Sequence, residues 1–182
     1  SYLYFHAIPS PQTIYRDVRR LRPGAVLELR DGKLSERIYW QPQYRDERGR
    51  AGVPELKPEF RATIERSVRA QLEQGGEVGC FLSGGTDSST LAGHLAKLGE
   101  GKARSFSIGF DEEGYDETGF ARIAAGHFAT EHTEYYVTPS DIVDLVPRLG
   151  DYYGTPFGNS SVIPTYYCAR LAREHGIDRI LG

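Results

Sequence analysis

The stretch that decides the fold is Val-Gly-Cys-Phe-Leu-Ser-Gly-Gly-Thr-Asp-Ser-Ser, residues 78–89. It opens with an apolar run, Val78 to Leu82, which is typical of a buried strand. The run breaks at Ser83-Gly84-Gly85, and a helical pattern follows whose apolar side chains share one face, namely Leu91, Ala92, Leu95 and Leu98. The sequence therefore predicts a strand, a tight glycine turn and a helix N-terminus in immediate succession.

This succession predicts an anion-binding site. Glycines let a backbone turn sharply and approach a ligand closely, and the free N–H groups of a first helical turn point at that ligand. Hydroxyl donors are added by Ser83, Thr86, Ser88 and Ser89, and Asp87 adds a single carboxylate. One carboxylate among many donors suits a Mg²⁺ ion that bridges phosphate groups. The alternative is a Ser/Gly-rich turn that only caps a helix.

Two common phosphate loops are excluded. The Gly-Lys pairs, Gly32-Lys33 and Gly101-Lys102, lack the Ser or Thr that a P-loop requires, and no G-x-G-x-x-G follows a strand. What remains is S-G-G-x-D-S after an apolar strand. This pattern resembles the pyrophosphate-binding loop of the ATP pyrophosphatases, enzymes that split ATP into AMP and pyrophosphate.

Composition narrows the class of protein. Of 182 residues, 39% are hydrophobic and 26% charged, as in an ordinary globular protein, and a net charge of −3 suggests neither a nucleic-acid nor a membrane partner. Cys80 and Cys168 fit no disulfide or zinc pattern, and Cys80 is expected in the core. No signal peptide or membrane-length apolar run is present, so we expect a cytoplasmic protein. Because methionine is absent and Gly182 falls in a strand pattern, we expect a piece of a longer protein.

The segments around the loop predict an α/β fold. Before it come a helix over Ser10–Leu21, a hairpin at Asp31-Gly32 and a linker over 41–57. Further helices are predicted at 58–74, 116–128 and 163–175, and another begins at Ser140. Further strands are predicted at 104–110, 131–137 and 177–182. Strands that alternate with helices indicate a parallel sheet, which binds ligands at the carboxyl ends of its strands. We therefore expect the Ser83 loop and Ile108 to face one ligand.

An ordered set of motifs gives a more specific resemblance. The chain resembles the synthetase domain of glutamine-dependent asparagine synthetases in S-G-G-T-D-S-S at 83–89, S-F-S-I-G-F at 105–110, Y-D-E at 115–117, T-E-H at 130–132 and T-P-F-G-N-S-S-V-I-P-T-Y at 155–166. The helix and hairpin that precede them, which end in Tyr39-Trp40, look like that family's bridge between glutaminase and synthetase domains. The resemblance covers nearly the whole chain.

The resemblance implies a fold, a reaction and a site. The fold is the adenine nucleotide alpha hydrolase-like sheet of the ATP pyrophosphatases, with residues 1–57 as the bridge and 58–182 as the N-terminal part of the synthetase domain. The implied reaction is adenylation of a carboxylate substrate by ATP, with aspartate as the expected substrate, followed by transfer of ammonia from a glutaminase domain on the same parent chain. Pyrophosphate and Mg²⁺ are assigned to Ser83, Gly84, Gly85, Asp87, Ser88 and Ser89, with Asp87 as metal ligand, and adenosine to Leu82 and Ile108.

Other readings stay open at this point. The family's second carboxylate loop and its catalytic acid would follow Gly182, so we expect this chain alone to be inactive. A strand edge at Ile180 and Leu181 also suggests self-association, and a homo-oligomer is possible on that ground. The alternatives are another enzyme with this loop, such as a tRNA-modifying or β-lactam-forming one, and a non-catalytic nucleotide-binding module.

Overall fold

A computed structural model describes residues 2–44, 52–112, 114, 116–156 and 158–182. The chain divides into two compact units. Residues 1–50 and 146–159 form the first unit, and residues 51–145 and 160–182 form the second. Among the residues just given, no helix combines the length and the apolar character that crossing a bilayer requires.

The first unit is built on a hairpin. Its helix α1 covers Tyr2–Phe5, and strands β1 (Ala25–Arg30) and β2 (Lys33–Ile38) pair antiparallel. The turn residues Asp31 and Gly32 both have positive φ, 51° and 75°, as a two-residue hairpin turn requires. The hairpin prediction is therefore confirmed. A 3₁₀ turn over 146–148 and a short helix, which we number α6 (Leu149–Tyr152), complete this unit.

The predicted helix over Ser10–Leu21 is wrong, because the short helix that precedes the hairpin is α1. Local side-chain bonds replace helical ones in this segment: the Thr13 hydroxyl donates to the Val18 carbonyl at 2.7 Å. The Ser10 hydroxyl, expected to cap a helix, donates instead to the Leu21 carbonyl at 3.1 Å. Short polar side chains that bond to nearby backbone compete with a helix in this way.

The second unit is a parallel α/β sheet. Its helices are α2 (Val53–Leu72), α3 (Thr86–Leu98), α4 (Thr118–Phe128), α5 (Pro139–Leu145) and α7 (Val162–Glu174). Its strands are β3 (Val78–Phe81), β4 (Arg104–Phe110), β5 (Glu131–Val137) and β6 (Arg179–Leu181). All three strand pairs are parallel, and the order across the sheet is β5-β4-β3-β6. The predicted fold class is confirmed.

The strand order places β3 at the point where the chain changes direction across the sheet. From β3 the chain steps outward through β4 to β5, and it then returns to the other side of β3 as β6. In open parallel sheets such a switch point leaves a crevice at the carboxyl ends of the strands, and ligands bind there. The Ser83 turn follows β3 directly, so the topology puts this turn at the crevice.

Apolar side chains cover both faces of the sheet. One cluster joins β3 to α3 and α4 through buried Cys80, Leu82, Ala92, Leu95, Ala121 and Ala125. A second cluster joins β4 to α7 through Phe106, Cys168, Leu171 and Ala172, with Ile177. The turn after β3 is thus anchored in a core on each side.

Helix α2 differs from the prediction at its start, and helix α4 packs through its smaller side chains. Helix α2 begins at Val53 rather than Pro58, and the Glu55 carboxylate accepts the Gly52 N–H at 3.0 Å at its start. The remainder of the predicted linker, residues 45–51, lies outside the described residues. Helix α4 buries Ala121 and Ala125 and leaves Phe120 and Ile123 exposed, at 66% and 72%. Small side chains let a helix lie close to a sheet, so the alanine face is the inner one.

Candidate functional site

The turn after β3 is closed by Ser88, a residue in the first turn of α3. The Ser88 hydroxyl lies 3.0 Å from the Ser83 hydroxyl and accepts the Ser83 N–H at 3.2 Å. It also lies within 3.3 Å of the Gly85 carbonyl, to which it can donate. The Gly85 N–H in turn donates to the Ser83 hydroxyl at 3.3 Å. These bonds hold residues 83–88 in a small closed loop.

Gly84 gives the loop its sharp bend. Its φ of +82° lies in the left-handed region, which favours glycine. A Cβ atom at this position would lie 2.4 Å from the Phe120 carbonyl carbon and 2.7 Å from the Ala121 nitrogen. The loop therefore rests directly on the backbone at the start of α4, and no larger residue fits there without displacing that helix.

The amides that follow the bend are free to bind an anion. Helix α3 begins after its N-cap residue, Gly85. The Gly85 carbonyl accepts the first hydrogen bond of the helix, from the Ser89 N–H at 3.0 Å. In the part of the chain that the structure describes, the N–H groups of Thr86, Asp87 and Ser88 have no hydrogen-bond partner. A helix of 13 residues adds its positive dipole end at the same place.

A cavity of about 340 Å³ opens beside this loop. Strands β3 and β4 provide much of its wall, the start of α4 contributes Glu117 and Thr118, and the start of α7 contributes Ser161, Pro164 and Thr165. The lining of the cavity thus combines apolar side chains with hydroxyl groups, among them those of Ser83 and Ser88. Such a cleft with a few convergent polar groups is the usual form of a small-molecule site.

The structure brings four of the predicted site residues into one cavity wall, namely Leu82, Ser83, Ser88 and Ile108. Leu82 is 1% exposed, and its carbonyl accepts a hydrogen bond from the buried Ser107 hydroxyl, which fixes the end of the strand. The others, Gly84, Gly85, Asp87 and Ser89, lie on the same turn and on the first turn of α3 outside that wall. Their assigned roles stay predictions.

Asp87, predicted as a metal ligand, is an exposed carboxylate in the first turn of α3. Among the described residues, no three His, Cys, Asp or Glu side chains group together in a way that would hold a metal ion by themselves. Asp87 fits instead the pattern of a magnesium ion held by one carboxylate and by phosphate oxygens of a nucleotide.

Several residues of the cavity were missed by sequence reasoning. Glu117 belongs to the Y-D-E motif, and the long motif at 155–166 contains Ser161, Pro164 and Thr165. The motifs marked these residues as part of the family resemblance, but no binding role was assigned to them. Cys168 also lines the cavity, and burial raises the pKa of its thiol to about 12. This thiol is therefore a packing group at neutral pH and not a nucleophile.

The network behind Thr118 fixes the far side of the cavity. Thr118 is 1% exposed, and its hydroxyl lies 2.9 Å from the Asp116 carboxylate and 2.9 Å from the Tyr136 hydroxyl. Arg122 donates to the Tyr136 hydroxyl at 3.0 Å and pairs with Glu134 at 2.6 Å. The start of α4 is thereby tied to strand β5, which keeps the surface beneath Gly84 in place.

Together, the fold and the site define an α/β protein with an anion-binding turn at the carboxyl end of a central parallel strand. The family model described as asparagine synthase matches residues 59–182. The chain belongs to the asparagine synthase family, and the resemblance deduced from its motifs is confirmed.

Curated relatives agree with this assignment. A Methanocaldococcus jannaschii protein, provisionally named asparagine synthetase (glutamine-hydrolysing) 2, is 33% identical over 94% of this chain and 34% of its own length. Asparagine synthetase (glutamine-hydrolysing) 1 of Bacillus subtilis is 27% identical over 100% of this chain and 30% of its own length. The chain thus spans about a third of the length of these relatives.

A solved structure, the NMN synthetase from Francisella tularensis, aligns with 67% of this chain and 52% of its own. The TM-score is 0.48 and the sequence identity is 15%.

Proposed function

We propose that this chain forms the ATP-binding part of an amide-forming ligase of the asparagine synthetase type. In this proposal a carboxylate substrate, aspartate, attacks the α-phosphate of ATP. An acyl-adenylate forms and pyrophosphate leaves. Ammonia derived from glutamine then attacks the acyl carbon, so that the amide forms and AMP leaves.

The observation that carries the proposal is the closed turn at 83–88 with its free amides. A departing pyrophosphate gains negative charge, and donors that are already in place stabilise that charge without rearrangement. The turn offers three unpaired N–H groups at a helix N-terminus and the hydroxyls of Ser83 and Ser88. Membership of the asparagine synthase family makes ATP the expected source of the phosphates.

The residues have separate roles in this proposal. The N–H groups of Thr86, Asp87 and Ser88 would bind pyrophosphate oxygens, and Gly84 and Gly85 would let the ligand approach the backbone. Asp87 would hold Mg²⁺, which supplies charge neutralisation between phosphate groups when bound. Leu82 and Ile108 would contact the adenosine through the apolar part of the cavity, and Ser89 would support the phosphate end.

The proposal also extends to the arrangement of domains. Residues 58–182 would be the N-terminal part of a synthetase domain, and residues 1–57 would connect it to a glutaminase domain. The relatives named glutamine-hydrolysing asparagine synthetases are about three times as long as this chain, which leaves room for such a domain. The glutaminase domain and the carboxylate substrate are the partners that follow from the proposal.

The test uses a polypeptide that contains this chain and has the full length of its relatives. We expect it to release pyrophosphate when aspartate, ATP and Mg²⁺ are present, and Asp87→Asn to reduce that release by at least about a hundredfold. Glutamine hydrolysis should be unchanged in the variant because the carboxylate serves the ATP half alone.

Asp144→Asn is the matched control, since Asp144 is an exposed carboxylate on α5. Pyrophosphate release by Asp87→Asn at the rate of this control would contradict the role of Asp87. If the unaltered polypeptide released no pyrophosphate with any of the carboxylate substrates tried, the proposed ligase activity would be contradicted.

A further inference from the structure

A second candidate site lies away from the turn at 83–88, between helices α2 and α3. A groove of about 500 Å³ is lined there by Lys57, Phe60, Arg61, Ile64, Thr90, Gly93, His94, Lys97 and Phe128. None of these residues lines the cavity beside Ser83. We refer to these nine residues as the α2–α3 groove.

The floor of the groove is apolar. The Phe128 ring lies against Gly93, where an added Cβ would come 2.7 Å from a ring carbon. The absence of a side chain at Gly93 therefore lets the ring approach α3 closely. Ile64 is half-buried beside it, and Phe60 stands 64% exposed at the edge. Aromatic side chains at a groove of this kind favour contact with an aromatic ligand.

The rim of the groove is cationic, although the chain as a whole carries a net charge of −3. Lys57, Arg61 and Lys97 lie on the rim, and no acidic residue is among the described residues that line the groove. Arg61 stands four residues before Glu65, a spacing that allows an ion pair. Glu65 instead binds Arg69 at 3.2 Å and Lys97 at 3.1 Å.

Two of these cations are therefore available. Within the described part of the chain, Lys57 and Arg61 have neither an ion-pair nor a hydrogen-bond partner. The imidazole Nδ1 of His94 is also without a hydrogen-bond partner although it is out of contact with solvent. An unpaired arginine and lysine beside exposed aromatic surface favour a ligand with negative charge on an apolar body, since the charge binds the rim and the body covers the rings.

We propose that the α2–α3 groove binds a small organic anion with an aromatic body, of the aromatic carboxylate class. Its carboxylate would bind Arg61 and Lys57, and its ring would pack between Phe60 and Phe128. The site is separate from the proposed nucleotide cavity, so the proposal is independent of the ligase reaction.

The test uses the 182-residue chain with 2-naphthoate as the probe and amide chemical shifts as the readout. We expect saturable shifts at Thr90, Gly93 and Phe128, and no comparable change at the amides of residues 83–88. Two comparison compounds separate the parts of the ligand: 2-naphthalenemethanol lacks the charge, and inorganic phosphate lacks the ring. Both should bind at least about tenfold more weakly than 2-naphthoate.

Variants test the rim and the floor separately. The double variant Lys57→Gln with Arg61→Gln should weaken binding of 2-naphthoate about tenfold or more. Phe60→Ala, at a side chain too exposed to support the fold, should weaken it about fivefold. Arg66→Gln is the matched control on the same helix, because Arg66 is not among the groove residues, and it should bind the probe as the unaltered chain does.

Three results would overturn the proposal. They are shifts confined to residues outside the groove, equal binding by the double variant and by Arg66→Gln, and equal binding of 2-naphthalenemethanol and 2-naphthoate. The spectrum of each variant without probe shows whether it is folded. If the double variant does not fold, the Phe60→Ala titration and the two comparison compounds still decide the matter.

Discussion

The hydroxyl oxygens of Ser83 and Ser88 lie 3.0 Å apart, so the last residue of the turn is bonded to the first. Ser83 lies just after the central strand β3, and Ser88 belongs to the first turn of α3. The contact converts a strand, a glycine bend and a helix N-terminus into one closed loop. The loop keeps this form because its hydroxyls bind one another and leave the backbone amides of α3 available.

Replacing Ser88 with alanine removes three of the loop's contacts. We expect Ser88→Ala to lower the free energy of unfolding by about 1 kcal/mol, and to speed hydrogen exchange at the Ser83 amide. Urea unfolding and exchange measured by NMR, both without nucleotide, check this. Ser89→Ala makes the same chemical change one residue further on, and it should cost within about 0.5 kcal/mol. Equal exchange at Ser83 in both variants would contradict the closed loop.

Replacing Gly84 with alanine combines two costs. The first is the left-handed φ of +82°, and the second is the overlap with the Phe120 and Ala121 backbone. We expect a loss of roughly 3 kcal/mol in the free energy of unfolding. Gly176→Ala is the control, because φ is +74° there and no atom lies within 4 Å of the added Cβ.

Gly176→Ala should therefore cost only the backbone term, about 1 kcal/mol. The difference between the two variants measures the contact between the loop and α4. If urea unfolding gave both variants the same loss in the free energy of unfolding, α4 would have moved away at no cost. That result would contradict the close contact between Gly84 and α4.

The hydroxyls of Thr118 and Tyr136 should prove energetically coupled. Thr118→Val keeps the volume of a buried side chain and removes its hydroxyl contacts with Asp116 and Tyr136, so we expect a loss of about 1–2 kcal/mol. Tyr136→Phe should cost less because Tyr136 is 40% exposed. The double variant should be more stable than the sum of the single losses predicts, by about 0.5–1 kcal/mol. Strictly additive losses would refute the bond.

Asp141 gives stability that depends on pH. The Thr138 N–H, which donates to its carboxylate at 2.8 Å, holds the pKa of Asp141 below its ordinary value of 3.8, and the Thr138 and Tyr135 hydroxyls act in the same sense. A carboxyl whose pKa is lower in the folded state stabilises the fold above the unfolded pKa. This stabilisation disappears as pH falls from 3.8 through the folded pKa.

We therefore expect Asp141→Asn to be more destabilising at neutral pH than at about pH 3. Urea unfolding of both proteins at the two pH values checks this. Asp144→Asn is the control, because this carboxylate on the same helix accepts no hydrogen bond in the described structure, and it should change the free energy of unfolding little at either pH. A difference of the same size at both pH values would contradict the shift.

Local sequence patterns were sufficient to predict the strands of the sheet and the turn after β3. The bounds of β4 and β5 match the prediction because both stretches are rich in the aromatic and β-branched residues that favour strands. The tight glycine turn after the strand was also predicted from the sequence, whereas its closure by the contact between Ser83 and Ser88 was not. Leu82, Ser83, Ser88 and Ile108 line one cavity, as the rule for ligand sites in parallel sheets and the family resemblance predict, and their individual roles stay predictions.

The wrong or missing sequence predictions depend on contacts between residues that local sequence patterns do not reveal. Phe120 and Ile123 are larger apolar side chains on α4, but Ala121 and Ala125 face the sheet because close approach favours small side chains. Ser10 was expected to cap a helix, yet its hydroxyl bonds a residue eleven positions away. Glu117 and Thr165 line the cavity although they are far apart in the sequence. The spacing of residues along the chain therefore did not indicate that they belong to the site.

The bend at Gly84 bears on the entropy of ligand binding. A flexible phosphate loop must be ordered when its ligand arrives, and this ordering subtracts from the affinity. Here the loop is fixed by its own hydroxyls and by the backbone of α4, so the ordering is completed when the chain folds. An anion that enters the turn would meet donors already in position, and its affinity would reflect contact and charge with little loss to loop rearrangement.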